Sequence, residues 1–197
     1  MKVLIVGGSP RAKGNTDTLL SSMRDELERN GVSTTLAFLR DYSINPCVGC
    51  EQCRTDKTCS RFLDGMHLLY PEIESAEGLV LASPTYNYNI TPMTKAFIDR
   101  MYPYFNFSEP RPGPYSSRLA DRPRVAATVG ICEQNEASEM GVTMPALTEP
   151  LRPLGYTICD QVAITGHFQR GSVREDTAAN ERVRAAARHL VHELHST

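Results

Sequence analysis

The sequence predicts a doubly wound α/β chain on a five-stranded parallel sheet, from three observations. Five short β-prone runs recur along the 197 residues, at Lys2–Val6, Val32–Leu39, Gly78–Ala82, Arg124–Val129 and Tyr156–Ile164. The stretches between them carry apolar residues at helical spacing. The first forty residues read strand, Gly-rich turn, helix, strand, a unit whose crossover makes the two strands parallel and right-handed in connection.

Lys2–Val6 is apolar and closes at Gly7-Gly8. From Thr16, residues Leu19, Leu20, Met23 and Leu27 share one helical face, and Gly31 stops the helix. In the second strand Val32, Leu36 and Phe38 point one way. Phe62, Met66, Leu69, Tyr70 and Ile73 then hold helical spacing, and Pro71 is expected to split that helix in two. Thr91 and Pro92 suit the N-cap and first residue of a helix buried through Met93, Phe97 and Met101. Pro103, Pro110, Pro112 and Pro114, interleaved with Tyr104, Phe105, Phe107 and Tyr115, predict a long aromatic loop. A helix through Ala137, Met140, Met144, Leu147 and Leu151, kinked at Pro145, precedes the fifth strand. Ser172 and Glu175 are expected to form the capping box of a last helix that turns Ala179, Val183, Ala187, Leu190 and Leu194 inward. No internal boundary is visible. Residues 1–197 therefore read as one domain of strand order 2-1-3-4-5, with a cysteine-rich loop at 46–60 and an aromatic, Pro-rich loop at 103–117.

Composition removes several function classes. The 21 basic and 23 acidic side chains leave no electrostatic footprint for nucleic acid and no polybasic segment for a membrane surface. No apolar run approaches a spanning length, and the N-terminal one is too short for a signal sequence. The expectation is a cytoplasmic protein, where clustered cysteines favour metal or redox chemistry over disulfides. HExxH and GxSxG are absent, so metalloprotease and serine hydrolase readings gain no support. His189, His192 and His195 read as a solvated helix end, and Cys132 and Cys159 as structural thiols.

Chemistry concentrates in three loops. In an open parallel sheet, ligands bind outside the carboxyl ends of the strands, at the switch point between strands one and three for this order. The loop after strand one, GSPRAKGNT, lacks the GK[ST] of a P-loop and the G-x-G-x-x-G of a dinucleotide fold. Ser9, Asn15 and Thr16 offer short hydrogen-bonding side chains there, Arg11 a charge, and the helix start free amides, a set that suits a phosphate monoester. The loop after strand three, SPTYNYN, offers Pro84, Tyr86 and Tyr88 as flat neighbours for a planar ligand. Third, Cys47, Cys50, Cys53 and Cys59 are spaced C-x2-C-x2-C-x5-C. That run resembles the ligand runs of iron–sulfur proteins; a zinc ion or redox-active thiols are the other readings.

The GSPR…GNT start, the SPTY loop and the KAFIDR helix (Lys95–Arg100) together resemble the NADPH-dependent FMN reductase family of flavodoxin-like proteins. The cysteine run after the second strand makes the chain similar to the iron–sulfur flavoproteins within it. Specific motifs span Lys2–Arg100; beyond that only the order of elements agrees. The resemblance implies a flavodoxin-like three-layer α/β/α sandwich and an FMN-dependent oxidoreductase. It implies that Ser9, Arg11, Asn15 and Thr16 hold the FMN phosphate and that Pro84, Thr85, Tyr86 and Asn87 border the isoalloxazine. It implies a [4Fe-4S] cluster on Cys47, Cys50, Cys53 and Cys59. Such a pair of cofactors would couple a two-electron flavin to a one-electron centre, with the chain supplying position and electrostatics.

Two alternatives stand beside this one. The first is an NAD(P)H-dependent FMN reductase or quinone-type oxidoreductase without a cluster. The second is a non-catalytic module whose loop is stapled by zinc. Expected partners are a redox protein, or NAD(P)H with a small acceptor, and a second copy of the chain in a homodimer or homotetramer. The aromatic loop is expected to be an oligomer contact or a flavin cover. The cysteine stretch is expected on the same rim of the sheet as the two flavin loops.

Overall fold

The computed structural model describes residues 1–196. In chain order the elements are β1 (Lys2–Gly7), α1 (Asn15–Arg29), β2 (Ser33–Phe38), α2 (Cys53–Asp56), α3 (Met66–Ser75), β3 (Gly78–Pro84), α4 (Pro92–Asp99), β4 (Phe105–Phe107), β5 (Tyr115–Ser117), β6 (Arg124–Ile131), α5 (Thr143–Thr148), β7 (Tyr156–Ile164) and α6 (Thr177–Ser196), with five short 3-10 turns between them. The main sheet is parallel and ordered β2-β1-β3-β6-β7. Counting only its own strands, that is 2-1-3-4-5, the flavodoxin-like order.

Strand alternation builds the three layers. Val3 and Ile5 of β1 join Leu19, Leu20, Met23 and Leu27 of α1 and the inner face of α6 in one core. Leu4 and Val6 face the other way, into a core with α3, α4 and α5. Side chains of one strand thus supply both faces, which is why the central strands are apolar without interruption.

Several local expectations change. Pro71 lies inside an unbroken α3. It sits on the exposed side, while Met66, Leu69, Tyr70 and Ile73 anchor the helix to the core, so burial outweighs one lost backbone hydrogen bond. The helix expected through residues 137–151 is broken into a 3-10 turn, Ala137–Met140, and α5; the break falls at Gly141 (φ 56°), not at Pro145. Pro145 stands in the first turn of α5, where its missing N–H costs nothing. The last helix is capped by Asp176, whose Oδ1 accepts from the Ala179 N–H at 2.8 Å. Ser172 instead meets His167 Nδ1 at 3.2 Å.

The proline-rich segment is also more ordered than expected. Tyr102–Tyr104 forms a 3-10 turn, and β4 and β5 pair antiparallel with Phe105 opposite Ser117 and Phe107 opposite Tyr115. The prolines fall outside the paired residues, so none removes a ladder hydrogen bond.

Candidate functional site

The Gly8–Thr16 loop is fixed from three sides. The Gly8 N–H donates to Ala82 O at 2.8 Å, and Thr91 Oγ1 donates to Gly8 O at 2.6 Å. A Cβ on Gly8 would stand 1.8 Å from Thr94 Oγ1, so the loop meets α4 backbone to side chain. From the end of β2, Arg40 donates to Ser9 O at 3.2 Å and grips Asp17 through both guanidinium nitrogens. Asp17 in turn accepts from the Lys13 N–H at 2.6 Å.

The loop after β3 is a tight hairpin. Tyr86 and Asn89 exchange backbone hydrogen bonds at 2.7 and 3.2 Å, and the central residues Asn87 (φ 49°) and Tyr88 (φ 64°) are both left-handed. Two successive positive φ values make a type I′ turn, which disfavours a tyrosine; such strain clusters at functional sites. The turn is held by Val142 N–H, which donates to Tyr88 O at 2.9 Å.

These two loops face one cavity of about 480 Å³, within the usual range for a small-molecule site. All eight residues expected for the flavin, Ser9, Arg11, Asn15, Thr16, Pro84, Thr85, Tyr86 and Asn87, line it. Thr85 Oγ1 is buried with no hydrogen-bond partner among the described residues, an acceptor and donor that a ligand with a polar edge would satisfy. The donor set, the cavity and this orphaned hydroxyl fit FMN.

Sequence reasoning assigned no residue to the far wall, because the Gly130–Glu133 loop matches no specific motif. Ile131–Gln134, Glu139, His167, Phe168 and Arg170 also line the cavity. Both segments directly follow strands, β6 and β7, and the rule that ligands sit beyond strand carboxyl ends was the available signal. Asn15 ties this wall to the first loop. Its Nδ2 donates to His167 O (3.3 Å) and Gln169 O (2.9 Å), and its Oδ1 accepts from Val173 N–H (3.3 Å). Arg11 stacks on Phe168, 5.7 Å from the ring centroid. His167 Nε2 meets Asp176 Oδ2 at 2.9 Å. The Ala179 N–H and then His167 hold the Asp176 carboxyl below its ordinary pKa.

A second cavity, about 140 Å³, is lined by all four cysteines of the run together with Phe62, Tyr70, Arg100 and Tyr102. Burial pushes the Cys53 thiol up, and the neighbouring Cys59, Cys47 and Cys50 push it further, as expected of thiols sharing one space. Gly49 N–H donates to Cys47 Sγ at 3.4 Å. Four soft donors lining one cavity, with backbone N–H support, are the ligand types of a sulfur-ligated metal group. Among the described residues, no three His, Cys, Asp or Glu side chains already form a metal-holding set. The loop therefore supplies the ligand types in one cavity without presenting them closed on a point.

Among the described residues, none lines both cavities. The helix α4 starts at Thr91, hydrogen-bonded to the Gly8–Thr16 loop, and ends at Arg100, which lines the cysteine cavity. The cysteine cavity thus meets the end of α4 opposite Thr91, about 13 Å along the helix axis. A clamp sits at that end. Arg100, 2% exposed, donates to Asp64 (2.8 and 3.0 Å), Asn45 O (2.9 Å) and Phe62 O (3.5 Å), residues on either side of the cysteine run. The aromatic hairpin packs here too, through Arg54–Glu109, Arg111–Glu51 and Lys57–Asn106, and not over the first cavity.

A family model for NADPH-dependent FMN reductase matches residues 1–148. The chain belongs to that family. An iron-sulfur flavoprotein of Archaeoglobus fulgidus is 29% identical over 208 positions, covering 100% of this chain and 97% of the relative. An iron-sulfur flavoprotein of Methanocaldococcus jannaschii is 32% identical over 103 positions, 52% of this chain and 53% of that protein, so the match spans about half of that relative. In fold, the NAD(P)H:quinone oxidoreductase of Methanothermobacter marburgensis superposes with a TM-score of 0.72 at 19% identity, covering 95% of this chain and 98% of that one. At that identity the likeness speaks to fold alone. Among the described residues, no helix is long and apolar enough to cross a membrane.

Proposed function

We propose that this chain binds FMN in the rim cavity and a [4Fe-4S] cluster on Cys47, Cys50, Cys53 and Cys59, and couples two-electron to one-electron redox chemistry. The observation that carries the reading is the pair of cavities at the two ends of α4, one lined by a phosphate-type loop and an orphaned Thr85 hydroxyl, the other by four thiols. When bound, FMN would exchange an electron pair with a hydride donor and single electrons with a cluster.

The chain's own residues do the positioning. Ser9, Arg11 and Thr16 receive the phosphate with the free amides at the start of α1, and Asn15 acts by holding the 167–173 segment against them. Pro84, Thr85, Tyr86 and Asn87 border the isoalloxazine, with Thr85 Oγ1 turned to a polar edge. The donor is NAD(P)H or a redox protein and the acceptor a small molecule or a second redox protein. A homodimer or homotetramer is supported by the exposed hairpin, where Tyr115 is 56% exposed. A clean monomer in light scattering would remove that part.

Anaerobic purification with assay of flavin, iron, sulfide and zinc tests the whole reading. FMN with about four irons and four sulfides per chain is the expected result. FMN without iron after reconstitution leaves the cluster-free NAD(P)H-dependent FMN or quinone reductase, a reading favoured by the exposure of Cys47 and Cys50. Zinc without flavin leaves the stapled binding module.

A further inference from the structure

Arg100 is the largest fully buried side chain, and it belongs to the wall of the cysteine cavity. A guanidinium carries five N–H donors. Four are engaged: Nη1 by Asn45 O and Asp64 Oδ2, Nη2 by Asp64 Oδ1 and Phe62 O. The fifth, on Nε, is buried with no acceptor among the described residues. A buried donor left unpaired is costly and needs a reason.

The surroundings narrow the reason. Burial lowers the Arg100 pKa, but Asp64, Tyr70 and Cys59 hold it above its ordinary value, so the group stays charged. Other charged residues of the cavity are already committed: Glu51 to Arg111, Asp99 to Lys95, while Arg61 lies over Phe62. Tyr70 Oη donates to Arg100 O at 3.0 Å and fixes the backbone from which the side chain extends. Four cysteine sulfurs line the same cavity, and Cys59 is close enough to act on the Arg100 charge.

We propose that Arg100 Nε–H is a built-in donor to sulfur in this cavity, either a cysteine thiolate ligand or an inorganic sulfide of a bound iron–sulfur cluster, and sets how readily that cluster accepts an electron. The proposal rests on the cluster reading above. A hydrogen bond to cluster sulfur stabilises the reduced form, which carries one more negative charge, and so raises the potential. Asp64 neutralises the guanidinium's net charge, so the effect comes through the directed N–H. Lysine in this place keeps the charge and loses the planar fork.

The experiment uses the full chain with its cluster reconstituted anaerobically. Dithionite titration followed by EPR should give Arg100→Lys a lower cluster midpoint than wild type, about tenfold in the one-electron reduction constant or 59 mV. Flavin content should be unchanged. An unchanged midpoint with full iron content overturns the proposal. Because Arg100→Lys can lose the loop clamp, a second measurement uses unmodified protein labelled with ¹⁵N at arginine Nε. Pulsed EPR of its reduced cluster should show a coupled nitrogen, retained in Arg61→Lys; iron present without that coupling overturns the proposal alone. A wild type that takes up no iron removes the cluster reading, and the proposal with it.

Discussion

Asp17 and Arg40 form a two-pronged ion pair, 2.9 Å at each contact, that braces the Gly8–Thr16 loop from the end of β2. Their side chains are 10% and 15% exposed, so the pair works in a partly desolvated place. Arg40 also holds Ser9 O, and Asp17 holds the Lys13 N–H; two positions of the loop hang on one pair. Arg40→Ala is expected to cost about 2 kcal/mol in urea denaturation, since hydrogen bonds to charged groups are lost and Asp17 is left alone. FMN should bind about tenfold more weakly by fluorescence titration, equivalent to ~1.4 kcal/mol. Full FMN affinity in the variant would mean the loop keeps its shape without the brace.

The Arg100–Asp64 clamp has a pH signature. Burial raises the Asp64 pKa, but hydrogen bonds from Arg100, Asn45 and Met66 outweigh it and bring the value to about 2, against 3.8 for an ordinary aspartate. A carboxylate depressed on folding stabilises the protein above its unfolded pKa and loses that contribution as pH falls through the folded one. The window is therefore from about pH 4 down to about pH 2, and the contribution is ~2 kcal/mol. Subtracting the denaturation curves of Asp64→Asn from those of wild type across this window should leave that decline. A flat difference would mean that Asp64 titrates normally.

Asn15 predicts a local, not a global, effect. Its amide spans from α1 to residues 167–173, so Asn15→Ala should speed amide hydrogen exchange at Val173 and its neighbours while β1 and β3 stay protected. Uniform loosening across the sheet would contradict this.

Gly8 is held by space. Gly8→Ala would drive a Cβ against Thr94 Oγ1 and Ala82 O, and about 1–3 kcal/mol of destabilisation is expected. Gly8→Ala combined with Thr94→Ala should be less destabilised than the sum of the single variants, a coupling visible in a double-mutant cycle. Strict additivity would place the strain elsewhere.

Cys50→Ala should abolish cluster absorbance after reconstitution while FMN remains bound, because none of the described residues lines both cavities. Loss of both chromophores would make the cysteine loop a structural support of the flavin site.

Much of this was open to reading in the chain. The βαβ start and the order of five strands follow from periodicity, turn formers and the strand-end rule, all local in sequence, while the full set of eight rim residues came with the family resemblance. The failures have nonlocal causes. Pro71 stays inside α3 because Met66, Leu69, Tyr70 and Ile73 are buried against strands far away in the sequence. Asp176, rather than Ser172, caps α6 because Ser172 is drawn to His167, a residue of the cavity wall.

By itself the sequence determined the parallel sheet, the phosphate-type loop and the presence of four closely spaced thiols. Only the tertiary structure decided where those thiols lie. A buried guanidinium at position 100 needs acceptors, and Asp64, Asn45 and Phe62 supply them. Satisfying that charge draws both flanks of the cysteine run to the C-terminal end of α4. Spacing along the chain carries no information about that.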